Sequence, residues 1–271
     1  MNPSTSSGPA PGTGTGAAPA APADLRPTPD AAWRELHEAA TAPYRGAGRF
    51  AWHFARGKLG RDPVFRGLIE RGLIGATRPR VVDIGCGQGL FASLLASMAR
   101  MQAEGRWPAQ WAATPKAARY TGIELMPRDI ARAKAAIGPL SPKPRLVCAD
   151  MCSAALPPCD LVVILDVLHY VDLDAQEGVL RRVRDALAPG RGRLLLRVGD
   201  ASNRRGFAIS QWVDRTVTRV RGHRVSPTWG RPLQAWVDLL QRLGFDVQSV
   251  PMSSGTPFAN VLLVADRRAR P

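Results

Sequence analysis

The spacing of hydrophobic residues along the chain changes near residue 78. Before that point, apolar positions recur at the three- and four-residue intervals that are typical of amphipathic helices. The predicted helices are 30–40, 46–60 and 62–74. Asp62-Pro63 is a typical helix start, because Asp caps the free amide groups and Pro suits the first helical turn. This part of the chain is therefore predicted to be helical.

Beyond residue 78, apolar runs of strand length alternate with helical patterns. The predicted strands are 80–85, 120–125, 144–150, 159–168 and 192–200, and the predicted helices are 90–100, 127–137, 175–187 and 232–244. Strands that alternate with helices form a parallel, doubly wound sheet. The run 159–168 is apolar on both faces, so we expect that strand at the centre of the sheet.

Two further runs, 245–252 and 258–266, are joined by the short connection "SSGTP". Strands with so short a connection pair in the antiparallel direction. The predicted fold class is therefore α/β. It is a doubly wound, mostly parallel, Rossmann-like seven-stranded sheet with a terminal antiparallel hairpin and helices on both faces.

Composition divides the chain into parts. Residues 1–29 consist mainly of Pro, Gly, Ala, Ser and Thr, with nothing large and apolar before Leu25, so we expect a disordered tail. Residues 30–77 are predicted to form an N-terminal helical cap, and 78–271 the α/β domain, in which the irregular insertion 201–230 would form a lid.

The location of the protein is predicted from what these segments lack. The tail has neither the basic start nor the continuous apolar core of a secretory signal. No run approaches the roughly 18–20 apolar residues of a membrane span. We therefore expect a soluble, cytoplasmic protein without a membrane span.

The chain is strongly basic, with a formal net charge of +15 and a pI near 11.1. Such a charge suits an acidic partner: a nucleic acid, an anionic membrane surface or an acidic carrier protein. A compositional origin is the alternative, because only four of the 37 basic residues are lysines, and Ala and Pro are abundant too. Both explanations stay open.

The four cysteines are a weak signal for a metal. They are Cys86, Cys148, Cys152 and Cys159. Zinc sites usually show C-x2-C pairs with a second pair or histidines nearby, and this spacing has neither. We therefore expect reduced thiols and no metal.

The stretch "VVDIGCGQG" at 81–89 has the form of a ligand-binding loop between a strand and a helix. Glycines there let the backbone turn sharply and approach a ligand closely. A P-loop would need a Lys after its last Gly, and the dinucleotide fingerprint needs G-x-G-x-x-G. Here the third glycine comes one residue early and no Lys follows, so both of those nucleotide sites are disfavoured.

Acidic residues stand at the ends of four consecutive predicted strands. They are Asp83, Glu124, Asp150 and Asp166. The carboxyl ends of parallel strands meet at one edge of a sheet, which is where open α/β sheets bind ligands. The sequence therefore predicts a site at this edge.

Taken together, these segments resemble the class I S-adenosylmethionine-dependent methyltransferases over about residues 78–266. "VVDIGCGQG" is similar to the first motif of that superfamily, "GIEL" to the second, "CADM" to the third and "DLVVILDVLHYV" to the fourth. The terminal hairpin also belongs to that family. The resemblance implies an enzyme that uses S-adenosyl-L-methionine as its cofactor, bound by 78–271.

The resemblance also implies a set of cofactor-binding residues: Asp83, Gly85, Cys86, Gly87, Glu124, Leu125, Asp150, Met151, Asp166 and Val167. Glu124 would accept hydrogen bonds from both ribose hydroxyls. Asp150 would meet the adenine amino group, with Met151 against the ring.

The remaining implied roles concern the methionine part and the transferred methyl. Gly85 and Gly87 would let the backbone approach the methionine and ribose, and Asp83 would help to orient them. Asp166 and Val167 would lie beside the methyl-transfer position. For Asp83 and Asp166, capping of their own loops is the alternative.

His169 follows the fourth strand in "DVLHYVD", where the resemblance places the methyl acceptor. A neutral imidazole there could take a proton from an acceptor hydroxyl, which makes His169 the candidate catalytic residue. The alternative is that His169 hydrogen-bonds a neighbouring loop or packs under the helix.

The acceptor is predicted only as a class. DNA amino-methyltransferases carry [NDS]-P-P-[YFW] after the fourth strand, and this chain has "DVLH" there, which looks more like small-molecule and lipid-like methyltransferases. We expect a small or carrier-tethered acceptor, aromatic or acyl, including one bound to an acyl carrier protein. The alternative is an RNA methyltransferase that uses the basic, aromatic flanks 45–80 and 202–231, although nucleic acid is the less favoured partner.

Overall fold

The computed structural model describes residues 26–200, 228–252 and 260–269, so most of the predicted tail and lid lie outside the described residues. The helices are α1 Pro29–Thr41, α2 Arg49–Arg61, α3 Pro63–Glu70, α4 Leu90–Ala103, α5 Pro127–Ile137, α6 Leu173–Ala186 and α7 Leu233–Arg242. The strands are β1 Arg80–Ile84, β2 Arg119–Glu124, β3 Arg145–Cys148, β4 Leu161–Leu165, β5 Arg193–Gly199, β6 Phe245–Pro251 and β7 Asn260–Arg267. Two short 3-10 turns, Ala42–Arg45 and Leu168–Tyr170, complete the described elements.

The strands form one sheet in the order β3-β2-β1-β4-β5-β7-β6. Neighbours among β1 to β5 pair parallel, whereas β7 pairs antiparallel with both β5 and β6. The predicted α/β fold class with its terminal antiparallel hairpin is confirmed. The central position predicted for β4 is also confirmed, because three strands lie on either side of it.

The predicted end of the fourth strand was wrong. The sequence pattern placed it at Leu168, but β4 ends at Leu165. Asp166 follows with a φ of 60°, a left-handed conformation that breaks the ladder, and Leu168 starts the second 3-10 turn. An apolar run does not by itself report where the backbone leaves the sheet.

Two apolar cores cover the two faces of the sheet, as alternation along the strands requires. Val81 of β1 belongs to the core that contains α4 and α5, whereas Val82 belongs to the core that contains α6 and α7. The first core also takes in α1, α2 and α3 through Leu36, Leu59 and Leu68, each fully buried. The predicted N-terminal cap therefore shares a core with the sheet.

Local signals in the sequence set several helix starts. The Asp62 carboxylate accepts a hydrogen bond from the amide of Val64 at 3.1 Å, as the Asp-Pro pattern predicts. Asp172 caps α6 in the same way through the amide of Ala175, at 2.8 Å. These caps satisfy amide groups that have no partner inside the helix.

An ion pair joins the amino ends of the central strands. Arg80 at the start of β1 donates to both carboxylate oxygens of Asp160, over 2.8 and 2.7 Å. The amide of Arg80 also donates to Asp160, at 3.2 Å. This pair lies at the edge of the sheet opposite to the strand ends that carry the predicted site.

In the part of the chain that the structure describes, no helix is both long and apolar enough to cross a membrane. The longest described helices have 14 residues.

We expect Leu36→Ala in α1 to destabilise the whole protein by about 2–5 kcal/mol, because it opens a cavity in the first core. Thermal unfolding should show one transition at a lower temperature, as it should for the control Leu240→Ala in the second core. A separate early transition for Leu36→Ala, with the main one unmoved, would show instead that the N-terminal helices unfold independently.

Candidate active site

The predicted strand-end carboxylates do meet at one edge, because β1, β2, β3 and β4 are neighbours in the parallel part of the sheet. In the register, Asp83 lies beside Gly122 of β2, and Glu124 lies beside Cys148 of β3. The glycine loop that follows β1 occupies the middle of this edge.

The glycine loop is held to β2 by its backbone. The amides of Gly85 and Cys86 both donate to the carbonyl of Ile123, at 2.8 and 3.1 Å. A side chain at position 85 would lie 2.6 Å from the methyl carbons of Val167, so glycine lets the loops after β1 and β4 touch. At Gly87, whose φ is 54°, no atom of the described residues lies within 4 Å of the position that a side chain would take. Gly87 therefore leaves free space on its Cα side among the described residues, where a ligand could approach.

Glu124 at the end of β2 is fixed by two backbone donors. Its carboxylate accepts from the amide of Gly87 at 3.0 Å and from that of Met126 at 2.9 Å. Each carboxylate oxygen can accept a further hydrogen bond. Glu124 therefore positions the glycine loop and still has acceptor capacity for ligand hydroxyls. The next residue, Leu125, is 61% exposed.

Asp83 lies buried beneath the same loop. Tyr120 of β2 donates its hydroxyl to the Asp83 carboxylate at 2.6 Å. Burial raises the pKa of Asp83 to about 7, with the charge of Glu124 acting in the same direction and the Tyr120 hydrogen bond opposing it. Asp83 thus titrates near neutral pH.

The Cys86 side chain points into the protein. A side chain added at Gly122 would lie 2.7 Å from its sulfur, so the thiol fills the space that Gly122 leaves. Burial raises the pKa of this thiol well above its usual value, which keeps it protonated. A cofactor contact from Cys86 would therefore come from its backbone.

Tyr44 is a residue of this edge that the sequence did not indicate. It lies in the first 3-10 turn, is fully buried and donates its hydroxyl to the carbonyl of Gln88 at 2.9 Å. Ser93 of α4 donates to the carbonyl of Ala40 at 2.7 Å. The N-terminal helices thus hold the glycine loop and the helix that follows it.

The loop after β3 carries Asp150, which is exposed, and Met151, which is half-buried. Asp150 accepts from the amide of Cys152 at 2.8 Å, which caps the loop. Arg182 of α6 donates to the carbonyls of Met151 and Ala154, at 2.6 and 3.0 Å, and also to that of Cys152. Arg182 shapes this loop, and no sequence motif marked it.

Asp166 belongs to a charge cluster, which we define as Lys58, Asp62, Asp166 and Arg197. Arg197 of β5 is 2% exposed and donates to both carboxylates: from Nε to Asp166 over 2.7 Å, and to the two oxygens of Asp62 over 2.5 and 2.6 Å. A second contact joins Arg197 Nη2 to Asp166. Lys58 lies 2.7 Å from Asp62 and 3.4 Å from Asp166.

The charge cluster is electrically balanced, with two carboxylates and two cations. Burial alone would raise the pKa of Asp62 and of Asp166. The hydrogen bonds and charges of Arg197 and Lys58 outweigh burial and hold both pKa values below their usual range. The side chain of Asp166 is therefore ionised and engaged within the cluster, and its predicted position beside a transferred methyl stays a prediction.

His169 lies in the 3-10 turn that follows β4. Its carbonyl accepts from the amide of Trp229 at 2.8 Å, and its ring lies 4.2 Å from that of Tyr170. Burial lowers the pKa of His169, although the charge of Asp166 opposes the shift. The imidazole is therefore neutral at physiological pH, as a general base must be.

Exposed apolar side chains surround this edge. Among the described residues, the exposed large hydrophobic side chains are Phe50, Leu125, Leu173 and Trp229. Leu125 follows β2, Leu173 opens the helix after β4, and Trp229 contacts His169. Phe50 stacks on Phe54 and lies 4.4 Å from the guanidinium of Arg132 in α5, the helix after β2.

Comparison with solved structures shows the same fold at low sequence identity. Magnesium protoporphyrin IX methyltransferase from Synechocystis PCC 6803 has a TM-score of 0.52 and 18% identity, over 88% of this chain and 94% of that one. The N-methyltransferase NodS from Bradyrhizobium japonicum WM9 has a TM-score of 0.53 and 17% identity, over 88% and 99%. The mitomycin 7-O-methyltransferase MmcR has a TM-score of 0.53 and 22% identity, over 91% of this chain and 75% of that one. A search of the curated proteins gave no match.

The sequence itself matches the family model described as "Methyltransferase domain" over residues 51–250, which is more than half of the chain. With the strand order, the open glycine loop and the strand-end carboxylates, this match identifies the chain as a member of the methyltransferase domain family, and the protein is an S-adenosylmethionine-dependent methyltransferase.

Proposed function

We propose that this enzyme methylates a small molecule with a flat, apolar portion, at a hydroxyl that His169 deprotonates. The observation that carries the proposal is the grouping at one sheet edge of the free space beside Gly87, the neutral His169 and a rim of exposed apolar side chains. Apolar side chains that cluster on a surface commonly mark a binding site.

The residues at this edge fit the cofactor. Gly87 leaves space beside its Cα atom, Glu124 has free acceptor capacity for the ribose hydroxyls, and Asp83 is a buried carboxyl near Glu124. Asp150 and Met151 lie on the loop after the neighbouring strand, where the adenine would be bound. When bound, S-adenosylmethionine supplies a methyl group that is already activated by the positive charge of its sulfonium.

His169 supports a hydroxyl acceptor. Because the donor methyl is activated, the protein mainly needs to align the acceptor and to remove its proton where it has one. Burial keeps the His169 imidazole neutral and able to accept that proton. The hydrogen bond from Trp229 to the His169 carbonyl fixes the backbone of the turn that carries it.

The rim supports an acceptor that is both apolar and anionic. Phe50 is exposed and its ring lies nearly parallel to that of Phe54, with 10° between the two planes, so the pair contributes aromatic surface to this rim. Arg132 lies over Phe50, and Arg49 beside it is exposed. An aromatic or acyl acceptor with an anionic group, whether free or tethered through a phosphate to an acidic carrier protein, suits such a surface.

Glu124→Gln should weaken binding of S-adenosylhomocysteine by about 10- to 100-fold, because charge-assisted hydrogen bonds contribute about 1.5–3 kcal/mol each. Isothermal titration calorimetry measures the change. Glu70→Gln, at an exposed ion pair with Arg66, is the control and should bind like the wild type. Equal affinities of Glu124→Gln and the wild type would place the cofactor elsewhere.

Affinity for S-adenosylmethionine should rise between about pH 6 and pH 8, because Asp83 becomes ionised over this range and then attracts the cationic ligand. Asp83→Asn should remove that dependence in calorimetric titrations.

The stability of the free protein should change in the opposite direction, falling as the pH rises. The pKa of Asp83 is raised in the folded state, so its contribution is complete below about pH 4 and is lost as the pH rises to about 7. If the affinity of the wild type and that of Asp83→Asn depended on pH in the same way, this assignment would be contradicted.

His169→Gln should lower kcat by about 10²- to 10⁴-fold with a phenolic acceptor, the usual contribution of a general base. The dissociation constant of S-adenosylhomocysteine should stay unchanged. The acceptor class is tested by measuring the rate of S-adenosylhomocysteine release with three kinds of acceptor. These are free naphthols, the same naphthols tethered to an acyl carrier protein, and saturated alcohols of equal size. Full activity of His169→Gln, or equal rates with flat and saturated alcohols, would overturn the proposal.

A further inference from the structure

We propose that Asp62 and Arg197 are positioning residues for methyl transfer. Through the charge cluster they hold Asp166, the first residue of the loop after β4, in its left-handed conformation, and they keep its surroundings electrically neutral for a cationic cofactor. This inference rests on the proposed function in one respect: Asp166 and Val167 must lie beside the transferred methyl.

The conformation of Asp166 is the first argument. Its φ of 60° lies in the left-handed region, which is uncommon for residues other than glycine although Asp adopts it more readily than most, so contacts to Arg197 can stabilise it. Arg197 holds Asp166 twice. Its guanidinium binds the carboxylate, and its carbonyl accepts the amide of Asp166 at 3.4 Å.

Asp62 fixes Arg197 in turn. The two oxygens of Asp62 bind both terminal nitrogens of the guanidinium, at 2.5 and 2.6 Å. An arginine that is 2% exposed cannot reach water instead, so its orientation depends on the two carboxylates. Because Asp62 stands between α2 and α3, the N-terminal helices determine where the guanidinium points.

The loop after β4 then contacts the cofactor loop. Val167, next to Asp166, packs against Gly85 so closely that no side chain would fit at that position. A contiguous set of contacts therefore runs from Asp62 through Arg197, Asp166 and Val167 to Gly85. A change at Asp62 is transmitted to the loop that faces the cofactor.

The charge balance is the second argument. Without the negative charge of Asp62, Lys58 and Arg197 would face Asp166 alone, which leaves one excess positive charge. Interactions between buried charges are weakly screened. The excess would oppose S-adenosylmethionine, whose sulfonium is cationic, more than S-adenosylhomocysteine, whose sulfur is neutral.

The test compares Asp62→Asn with Asp160→Asn. Asn can still cap α3, and Asp160 is the matched control because Arg80 binds both its oxygens at the opposite edge of the sheet. Calorimetry gives the dissociation constants of S-adenosylmethionine and S-adenosylhomocysteine. Asp62→Asn should weaken the first by about tenfold more than the second. In Asp160→Asn the ratio of the two constants should equal that of the wild type.

Lys58→Gln provides the opposite change and a second route if Asp62→Asn does not fold. Its side chain is 34% exposed, so its loss should be tolerated. Removing this positive charge should shift the ratio in favour of S-adenosylmethionine, and the double variant Asp62→Asn with Lys58→Gln should restore it. In the variants that fold, kcat should fall more than the KM of the acceptor changes.

An equal loss of affinity for both ligands in Asp62→Asn would overturn the inference. It would also be overturned if Lys58→Gln and Asp62→Asn shifted the ratio of the two dissociation constants in the same direction. A wild type that binds neither ligand would instead refute the cofactor site itself. The two failures are therefore distinguishable.

Discussion

The parallel pairing of β1 with β2 on one side and β4 on the other is the constraint on which the site depends. It brings the ends of these strands to one edge, and it places the glycine loop between the loops after β2 and β4. Contact is then close enough that position 85 has no room for a side chain. The carboxylate of Glu124 completes the arrangement, because it binds the amide of Gly87 across that edge.

Buried polar groups connect the N-terminal helices to this edge. Tyr44 reaches the carbonyl of Gln88, and Asp62 reaches the guanidinium of Arg197. A buried donor or acceptor without a partner is costly, so such contacts fix one arrangement where apolar packing alone would tolerate several. The helices before β1 therefore belong to the site as well as to the core.

The charge of the protein differs between the whole chain and this edge. The chain carries a formal charge of +15, whereas the charge cluster pairs two cations with two carboxylates. Asp83, which lies beneath the glycine loop, has a pKa raised by burial to about 7. The overall charge of the chain therefore does not describe the charge of the charge cluster.

The sequence by itself determined the order of the elements, the hairpin and the strand-end carboxylates, because helix and strand periods, glycines and Asp-Pro caps are short-range signals. Only the tertiary structure decided where β4 ends and which residues hold its loop. Asp62 and Arg197 are separated by 135 positions, and Tyr44 and Gln88 by 44. An arginine in the apolar run "RLLLRVG" indicates that a buried charge needs a partner. Which carboxylates meet it depends on how the helices before β1 pack across the sheet, and no local pattern encodes that.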